Sequence, residues 1–231
     1  MKKASLGLLA CALWLTPSGK ADIVYNFSMN TTPLVGNGPF ALDLQFLDGS
    51  GSGDGNNTVT LTNFAFGGGL PSGVGTATGG ASGSLAAGVT LQDTSFFNEY
   101  YENFTPGTLL SFTIDTTNVP DAGGTPDLFT VALLDSNGNE LPTTGPATEF
   151  LDVSLAGGTN PQVSTFGSAP GSTFALAAPI VQSGSPAPVP EPSSYLGLLT
   201  VLLALGFGGK ACRSNRGGRA GSQIEGVKHF V

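Results

Sequence analysis

The chain of 231 residues has no basic side chain between positions 22 and 209. Its eight Lys and Arg residues and its single His lie towards the two ends, whereas 15 of its 16 Asp and Glu residues lie inside this stretch. A region without Lys, Arg or His cannot neutralise phosphate groups, which excludes nucleic acid as a partner of the region. It also cannot form a Ser-His-Asp triad, a Cys-His pair or a Ser-Lys dyad, because each needs a basic group beside the nucleophile.

Cysteine is also scarce, since the chain contains only Cys11 and Cys212. Both lie outside residues 22–209, so this region has no disulfide, no thiol nucleophile and no cysteine metal ligand. Zinc and copper sites are excluded as well, because the region offers neither imidazole nor thiolate. Metal binding in this region is therefore restricted to oxygen ligands.

The N-terminal segment has the features of a signal peptide. Two lysines follow the initiating Met and precede the apolar run 4–15, which is too short to span a bilayer. Gly19 and Ala21 provide the small residues that a cleavage site requires. We therefore predict a signal peptide over residues 1–21, cleaved after Ala21 by signal peptidase.

The C-terminal segment has the features of a membrane anchor. A Pro-rich linker (183–192) precedes 17 uncharged, largely apolar residues (193–209), which is the length of a short transmembrane helix. A basic tail (210–231) follows at once. Because basic residues beside an apolar span stay cytoplasmic, the tail predicts that the acidic region lies outside the inner membrane. The basic residues nearest the apolar stretch are Lys210, Arg213, Arg216 and Arg219.

The linker carries the box Pro190-Glu191-Pro192 just before the apolar stretch. This box, the predicted helix and the basic tail together resemble the PEP-CTERM sorting signal of Gram-negative bacteria. The resemblance covers residues 188 to about 219, and the chain continues to Val231, further than tails of the family usually do. It implies cleavage near the box by an exosortase, a membrane-embedded protease or transpeptidase. It also implies association with exopolysaccharide and biofilm gene sets.

The region between the two ends alternates apolar and polar residues over short runs, which is the pattern of half-buried β strands. The apolar sets are Ile23, Tyr25, Phe27 and Met29; Phe40, Leu42, Leu44 and Phe46; Val59 and Leu61; Leu110, Phe112 and Ile114; Phe129, Val131 and Leu133; Leu151, Val153 and Leu155; and Phe174 and Leu176. Only the segment 96–104 has the spacing of a helical turn. We predict an all-β exported domain over residues 22–182, built as a two-layer antiparallel β-sandwich of jelly-roll type.

Several segments of this domain are similar to one group of PEP-CTERM passenger domains. The similar segments are LDLQF (42–46), VTLTNF (59–64), FFNEYYENFTPGTLLSF (96–112) and FTVALLDSNGNELPTT (129–144). No activity is assigned to that group, so the similarity implies fold and location only.

Carboxylates remain as the functional groups of the domain, and a pair of them is sufficient for glycoside hydrolysis. Glu99 and Glu102 are the best candidates, because four aromatic residues surround them in the sequence, Phe97, Tyr100, Tyr101 and Phe104. The alternative is that the rings belong to the core and that both carboxylates are solvated, and we favour it because aromatic rings are mostly buried.

A calcium site is the second use of these oxygens. Asp48, Ser50, Ser52 and Asp54 offer oxygen atoms at alternate positions of the loop 48–57, as an EF-hand loop does. The twelfth position, however, is Val59 instead of Glu. Asp135, Asn137 and Asn139 have a similar spacing. Both segments are also typical of hairpin loops, which we favour.

These features predict a non-enzymatic protein that is exported through the inner membrane, held there transiently and sorted to the envelope, surface or extracellular matrix. Exopolysaccharide is the expected partner, and no cofactor is required, with calcium as the one candidate. One alternative is an extracellular glycan-active enzyme that uses carboxylates alone. Another is an adhesion or ice-type binding face formed by a row of threonines, Thr58, Thr60 and Thr62.

Overall fold

The computed structural model describes residues 23–121, 124–158 and 160–185. These residues form twelve β strands and one short 3-10 turn (Thr32–Leu34), with no α helix in the described ranges. Within the same ranges no helix is long and apolar enough to cross a membrane. The predicted signal peptide, sorting box, transmembrane helix and basic tail lie outside the described residues.

Two antiparallel sheets of six strands each make up the domain, which confirms the all-β prediction. The first sheet has the order β12-β1-β8-β3-β6-β5 and the second has the order β11-β10-β9-β2-β7-β4. The strands of the first sheet are β1 (Ile23–Asn30), β3 (Thr58–Ala65), β5 (Gly80–Ser84), β6 (Gly88–Gln92), β8 (Leu109–Thr116) and β12 (Ile180–Ser183). Those of the second are β2 (Phe40–Leu47), β4 (Leu70–Thr78), β7 (Phe97–Thr105), β9 (Asp127–Leu134), β10 (Leu151–Leu155) and β11 (Gln162–Thr165).

The core lies between the inward faces of the two sheets, and the alternating apolar residues supply it. Phe27 and Phe112 stack with ring centroids 4.4 Å apart on neighbouring strands β1 and β8. Leu42, Leu44 and Phe46 of β2 are fully buried in the same cluster. Because successive side chains of a strand point to opposite faces, each run of alternation buries one set in the core, while the opposite set is half-buried or exposed on most strands and partly buried on β2 and β9.

Three local expectations are wrong. The segment 96–104 with helical spacing belongs mainly to strand β7, since its even-numbered residues face the core of a sheet. The loop 48–57 does not close a hairpin, because β2 and β3 lie in different sheets and the loop crosses between them. Phe174 and Leu176 pack against the core but lie in no strand. In each case long-range pairing, which local alternation does not encode, decided the outcome.

Candidate metal centre

Four aspartates meet where loops from both sheets come together, and we call Asp48, Asp93, Asp121 and Asp127 the acidic centre. All four are buried. Asp48 follows β2 and begins the loop that crosses to the first sheet, Asp93 follows β6, and Asp121 and Asp127 lie between β8 and the start of β9.

Strand pairing places these residues together although they are far apart in the chain. The last residue of β2 pairs with the second residue of β9, so Asp48 and Asp127 extend from neighbouring strand ends. In the first sheet, the first residue of β3 pairs with the last residue of β6. Asn57 and Asp93, which flank that pair, are therefore neighbours too, and the Asp93 amide donates to the Asn57 carbonyl at 3.3 Å.

Three of the carboxylates are close enough to share one ion. Asp48, Asp121 and Asp127 each place one carboxylate oxygen within 4.8 Å of those of the other two. Two ionised carboxylates at that distance repel each other by about 3–4 kcal/mol at the effective dielectric constant of about 20 that suits protein sites. No Lys, Arg or His occurs in the described part of the chain to offset this repulsion.

Backbone amides of the Gly- and Ser-rich loop hold two of the carboxylates. Asp48 Oδ1 accepts a hydrogen bond from the Ser50 amide at 2.8 Å, and its Oδ2 accepts from the Ser50 hydroxyl at 3.0 Å and from the Gly53 amide. Asp127 Oδ1 accepts from the Gly49 amide at 2.7 Å. The loop therefore wraps around Asp48 and is joined to the beginning of β9.

Two asparagines hold the other side of the centre. The Asn57 amide donates to Asp93 Oδ2 at 2.9 Å, while its side-chain Nδ2 donates to Asp127 Oδ2 at 2.7 Å. The Asn56 side chain donates to Asp121 Oδ1 at 2.6 Å. These contacts fix one oxygen of Asp93 and one of Asp121, and they leave the other oxygen of each carboxylate for another partner.

Three buried oxygens of this region receive no hydrogen bond from an amide or hydroxyl group of the described residues. They are Asp121 Oδ2, Asp93 Oδ1 and Asn56 Oδ1. Asp121 is 7% exposed and Asp93 is 0% exposed, so water does not reach these atoms freely. Because buried polar atoms are nearly always satisfied, three such oxygens in one region indicate that a further group belongs there.

Burial raises the pKa of Asp93, Asp121 and Asp127, and hydrogen bonds from the surrounding amides only partly oppose it. The nearby Asp127 charge raises the pKa of Asp121 further. Burial acts on Asp48 as well, but the hydrogen bonds from Gly53 and Ser50 outweigh it, so the pKa of Asp48 is lowered. The centre thus contains one carboxyl that ionises readily and three that are costly to ionise without a counter-charge.

Of the four calcium ligands predicted from sequence, Asp48 is the one in the acidic centre. The Ser50 and Ser52 hydroxyls lie 2.8 Å apart and hydrogen-bond within the loop. Asp54 is exposed and accepts a hydrogen bond from the Asn56 side chain at 2.9 Å. The related segment at Asp135 is a turn, in which Asp135 Oδ1 accepts hydrogen bonds from the backbone amides of Asn137 and Asn139. These two hydrogen bonds lower the pKa of Asp135.

Sequence reasoning missed Asp93, Asp121 and Asp127, which lie 45, 73 and 79 positions after Asp48. A local signal existed for two of them, because Asp93 directly follows an apolar alternating run and Asp127 directly precedes one. Residues at the ends of paired strands lie close together, but the sequence near each residue does not show which strands pair.

Glu99 and Glu102, the candidate catalytic pair, point to opposite faces of β7. Glu102 is buried, and its carboxylate accepts hydrogen bonds from the amides of Gly73 at 2.8 Å and Leu85 at 3.0 Å and from the hydroxyl of Tyr100 at 2.5 Å. Glu99 is half-buried on the outer face, opposite Gln45. The expectation that both carboxylates are solvated is therefore wrong for Glu102. The two side chains cannot flank one substrate bond.

A second group of carboxylates, buried at Asp43 and Glu149 and half-buried at Asp152, lies on the second sheet, away from the acidic centre. Asp43 of β2 is 3% exposed, and burial raises its pKa to about 7 despite a hydrogen bond from Gln45. Burial and the neighbouring Glu149 also raise the pKa of Asp152 to about 7. One oxygen each of Asp43, Glu149 and Asp152 receives no hydrogen bond from the described residues.

The threonines at positions 58, 60 and 62 are half-buried on the outer face of the first sheet. Neighbouring strands continue the row with hydroxyl groups, since Thr60 pairs with Thr90 and Thr62 pairs with Thr113. The row is therefore wider than a single strand.

No protein family, curated protein or solved structure matches the chain. The resemblance of residues 188–219 to the PEP-CTERM signal stays a prediction, because that segment lies outside the described residues.

Proposed function

We propose that this chain is a non-enzymatic protein that a PEP-CTERM signal sorts to the envelope or surface of a Gram-negative bacterium. The distribution of charge carries this proposal. Basic residues lie beside each of two apolar segments, and 188 consecutive residues between positions 22 and 209 contain none. A cleaved signal peptide followed by a stop-transfer helix produces this order. After exosortase cleavage, the domain would reside in the exopolysaccharide or biofilm matrix.

The chemistry of the domain supports a binding or structural role. The Glu102 carboxylate accepts three hydrogen bonds from within the domain, and Glu99 lies on the opposite face of β7, so the two do not form a catalytic pair. In the acidic centre, Asp48, Asp93 and Asp127 accept hydrogen bonds from backbone amides of the loop 48–57. A domain that lacks imidazole, thiol and amine groups has few other means of catalysis.

The order of strand pairing supports a jelly-roll type of sandwich. The first strand pairs with the eighth, the second with the seventh and the third with the sixth. Jelly rolls with this nesting serve as lectin and capsid domains, which bind through their surfaces. Strands β9 to β12 would then be additions at the sheet edges.

One observation favours the glycan-active alternative. A groove of about 330 Å³ is lined by Asp135, Glu140 and Phe174, which places two carboxylates beside an aromatic ring. The width of the threonine row favours instead the adhesion alternative. A glycan array with the exported domain (22–185), followed by hydrolysis assays on each ligand that binds, distinguishes the glycan-active alternative from the proposed function. Binding without turnover supports the proposed function, whereas turnover that Glu140→Gln abolishes contradicts it.

The sorting box is tested in a host that carries an exosortase. Glu191→Ala should leave the chain uncut and membrane-bound, while Ser185→Ala, a control in the same linker, should be processed as the unaltered chain is. Release of the Glu191→Ala chain at the normal rate would reduce the box to a plain linker.

A further inference from the structure

We propose that the acidic centre binds one calcium ion through Asp48, Asp121 and Asp127. The inference does not rest on the proposed sorting, because it concerns groups inside the folded domain alone. Each of the three carboxylates offers an oxygen within 4.8 Å of the other two. Ligand oxygens lie about 2.3–2.6 Å from calcium, so oxygens that share one ion are at most about 5 Å apart.

The unsatisfied oxygens are the independent observation that points to a ligand. Asp121 Oδ2 belongs to a side chain that is more than nine-tenths buried, and it receives no hydrogen bond from the described residues. Asp93 Oδ1, on a fully buried side chain, and Asn56 Oδ1, a buried atom of a half-buried residue, likewise receive no hydrogen bond from an amide or hydroxyl group of the described residues. The Asp93 carboxylate lies against that of Asp127. Ionised carboxylates accept hydrogen bonds and cannot donate them, so these groups cannot satisfy one another, and a cation placed among them would contact several of these oxygens at once and also offset their charge.

The donor set selects a hard cation. The centre offers carboxylate and amide oxygens, and the described chain contains no imidazole or thiolate that would favour zinc, copper or nickel. Magnesium requires a near-ideal octahedron and retains several waters, whereas calcium accepts six to eight oxygens in irregular arrangements. Ligands from two distant chain segments, one of them the start of a Gly-rich loop, fit calcium better than magnesium.

A calcium ion at this position would link the two sheets. Asp48 and Asp127 extend from strands β2 and β9 of the second sheet, while Asp121 follows β8 of the first. The loop 48–57 crosses between the sheets and is wrapped around Asp48. An ion that binds only the folded arrangement stabilises it in proportion to the logarithm of its concentration.

The test uses the full chain, purified in detergent and treated with EDTA, at pH 7.5. Titration calorimetry with calcium chloride should show one ion per chain, and 1 mM calcium should raise the melting temperature by about 5 °C or more over EDTA. Magnesium at the same concentration should produce less than half of that increase. An equal increase with magnesium would overturn the calcium assignment, and no increase with either ion would overturn the site.

Variants locate the site and separate it from the loop. Asp121→Asn and Asp127→Asn should weaken calcium binding by at least about tenfold, because each removes a charged ligand. In EDTA, Asp121→Asn should melt at or above the temperature of the unaltered chain, because it removes a buried charge that is repelled by its neighbours and keeps the oxygen that accepts from Asn56. Asp127→Asn should melt lower in EDTA, because both Asp127 oxygens accept hydrogen bonds and an amide replaces one of them with a donor. Asp54→Asn, an exposed position of the loop 48–57, should leave the calcium affinity and the melting temperature in EDTA unchanged. Loss of calcium binding in Asp54→Asn with retention in Asp121→Asn would overturn the ligand assignment.

Proton sharing among the aspartates is the competing explanation of the unsatisfied oxygens. If protons alone neutralise the centre, the melting temperature at pH 7.5 will be the same in calcium and in EDTA. Circular dichroism establishes independently that the domain is folded in this experiment. Equal melting temperatures of the folded chain would then overturn the proposal.

Discussion

The hydroxyl of Tyr100 donates a 2.5 Å hydrogen bond to the carboxylate of Glu102, two positions further along the same strand. Residues at i and i+2 of a strand share a face, so both side chains point into the core. The backbone amides of Gly73 and Leu85 also donate hydrogen bonds to this carboxylate. Glu102 thus connects β7 to β4 and to the turn between β5 and β6, which belong to different sheets.

Replacing Glu102 tests this structural role. Glu102→Ala leaves two amides and the Tyr100 hydroxyl without their acceptor, and we expect a loss of about 2–4 kcal/mol in the free energy of unfolding. Glu99→Ala, on the outer face of the same strand, should change it by less than about 0.5 kcal/mol. Urea denaturation of the two variants measures the difference. Equal stabilities would mean that the buried carboxylate does not hold the sheets together.

The aromatic residues around Glu102 differ in burial, and this predicts unequal effects. Phe104 is 2% exposed and lies 5.5 Å from the ring of Phe66, so Phe104→Ala should destabilise the domain by about 3–5 kcal/mol. Phe97, expected from the sequence to be in the core as well, is half-buried at the start of β7. We expect Phe97→Ala to cost about 1–2 kcal/mol. A larger loss for Phe97→Ala than for Phe104→Ala would contradict the burial seen here.

Asp43 should make stability depend on pH. Its pKa is raised from 3.8 to about 7 by burial, with Glu99 and Glu140 as nearby charges that raise it further. Well below pH 3.8 the carboxyl is protonated in both the folded and the unfolded chain, so it does not affect the free energy of unfolding. As the pH rises towards 7, the unfolded chain ionises freely while the folded chain retains the proton, so stability falls, and it levels off above 7.

The variant Asp43→Asn isolates this contribution. Its free energy of unfolding should exceed that of the unaltered chain at pH 8 by about 1–3 kcal/mol and should vary less between pH 5 and pH 8. Asp135→Asn, in an exposed turn, is the control and should keep the original slope. Denaturation in saturating calcium keeps the acidic centre constant. An unchanged slope in Asp43→Asn would assign the pH dependence to Asp152 and other groups.

Membrane topology is the remaining prediction. A reporter fused at Ser183 should be active only outside the cytoplasm, and a reporter fused after Arg219 should be active only inside it. Cytoplasmic activity at Ser183 would contradict export itself. Replacing the four basic residues Lys210, Arg213, Arg216 and Arg219 by Gln should weaken the retention of the tail in the cytoplasm.

The position and inward face of most strands followed from the sequence. Leu42, Leu44 and Phe46 are buried as their alternation predicts, and so are Val59 and Leu61 on β3. This information is local, because the strand backbone sends neighbouring side chains to opposite faces whatever the partner strand is. The chemistry excluded by the missing basic residues was likewise determined by composition alone.

Only the tertiary structure decided which strand ends and which carboxylates meet. Asp48 lies beside Asp127 because β2 pairs with β9, and Asp121 reaches the same place through the connection between β8 and β9. Glu102 is buried because the even-numbered residues of β7 point into the core, whereas Glu99 and the other odd-numbered residues point outward. Contact between residues 73 or 79 positions apart depends on strand pairing and on the packing of the whole core, which no local sequence pattern encodes.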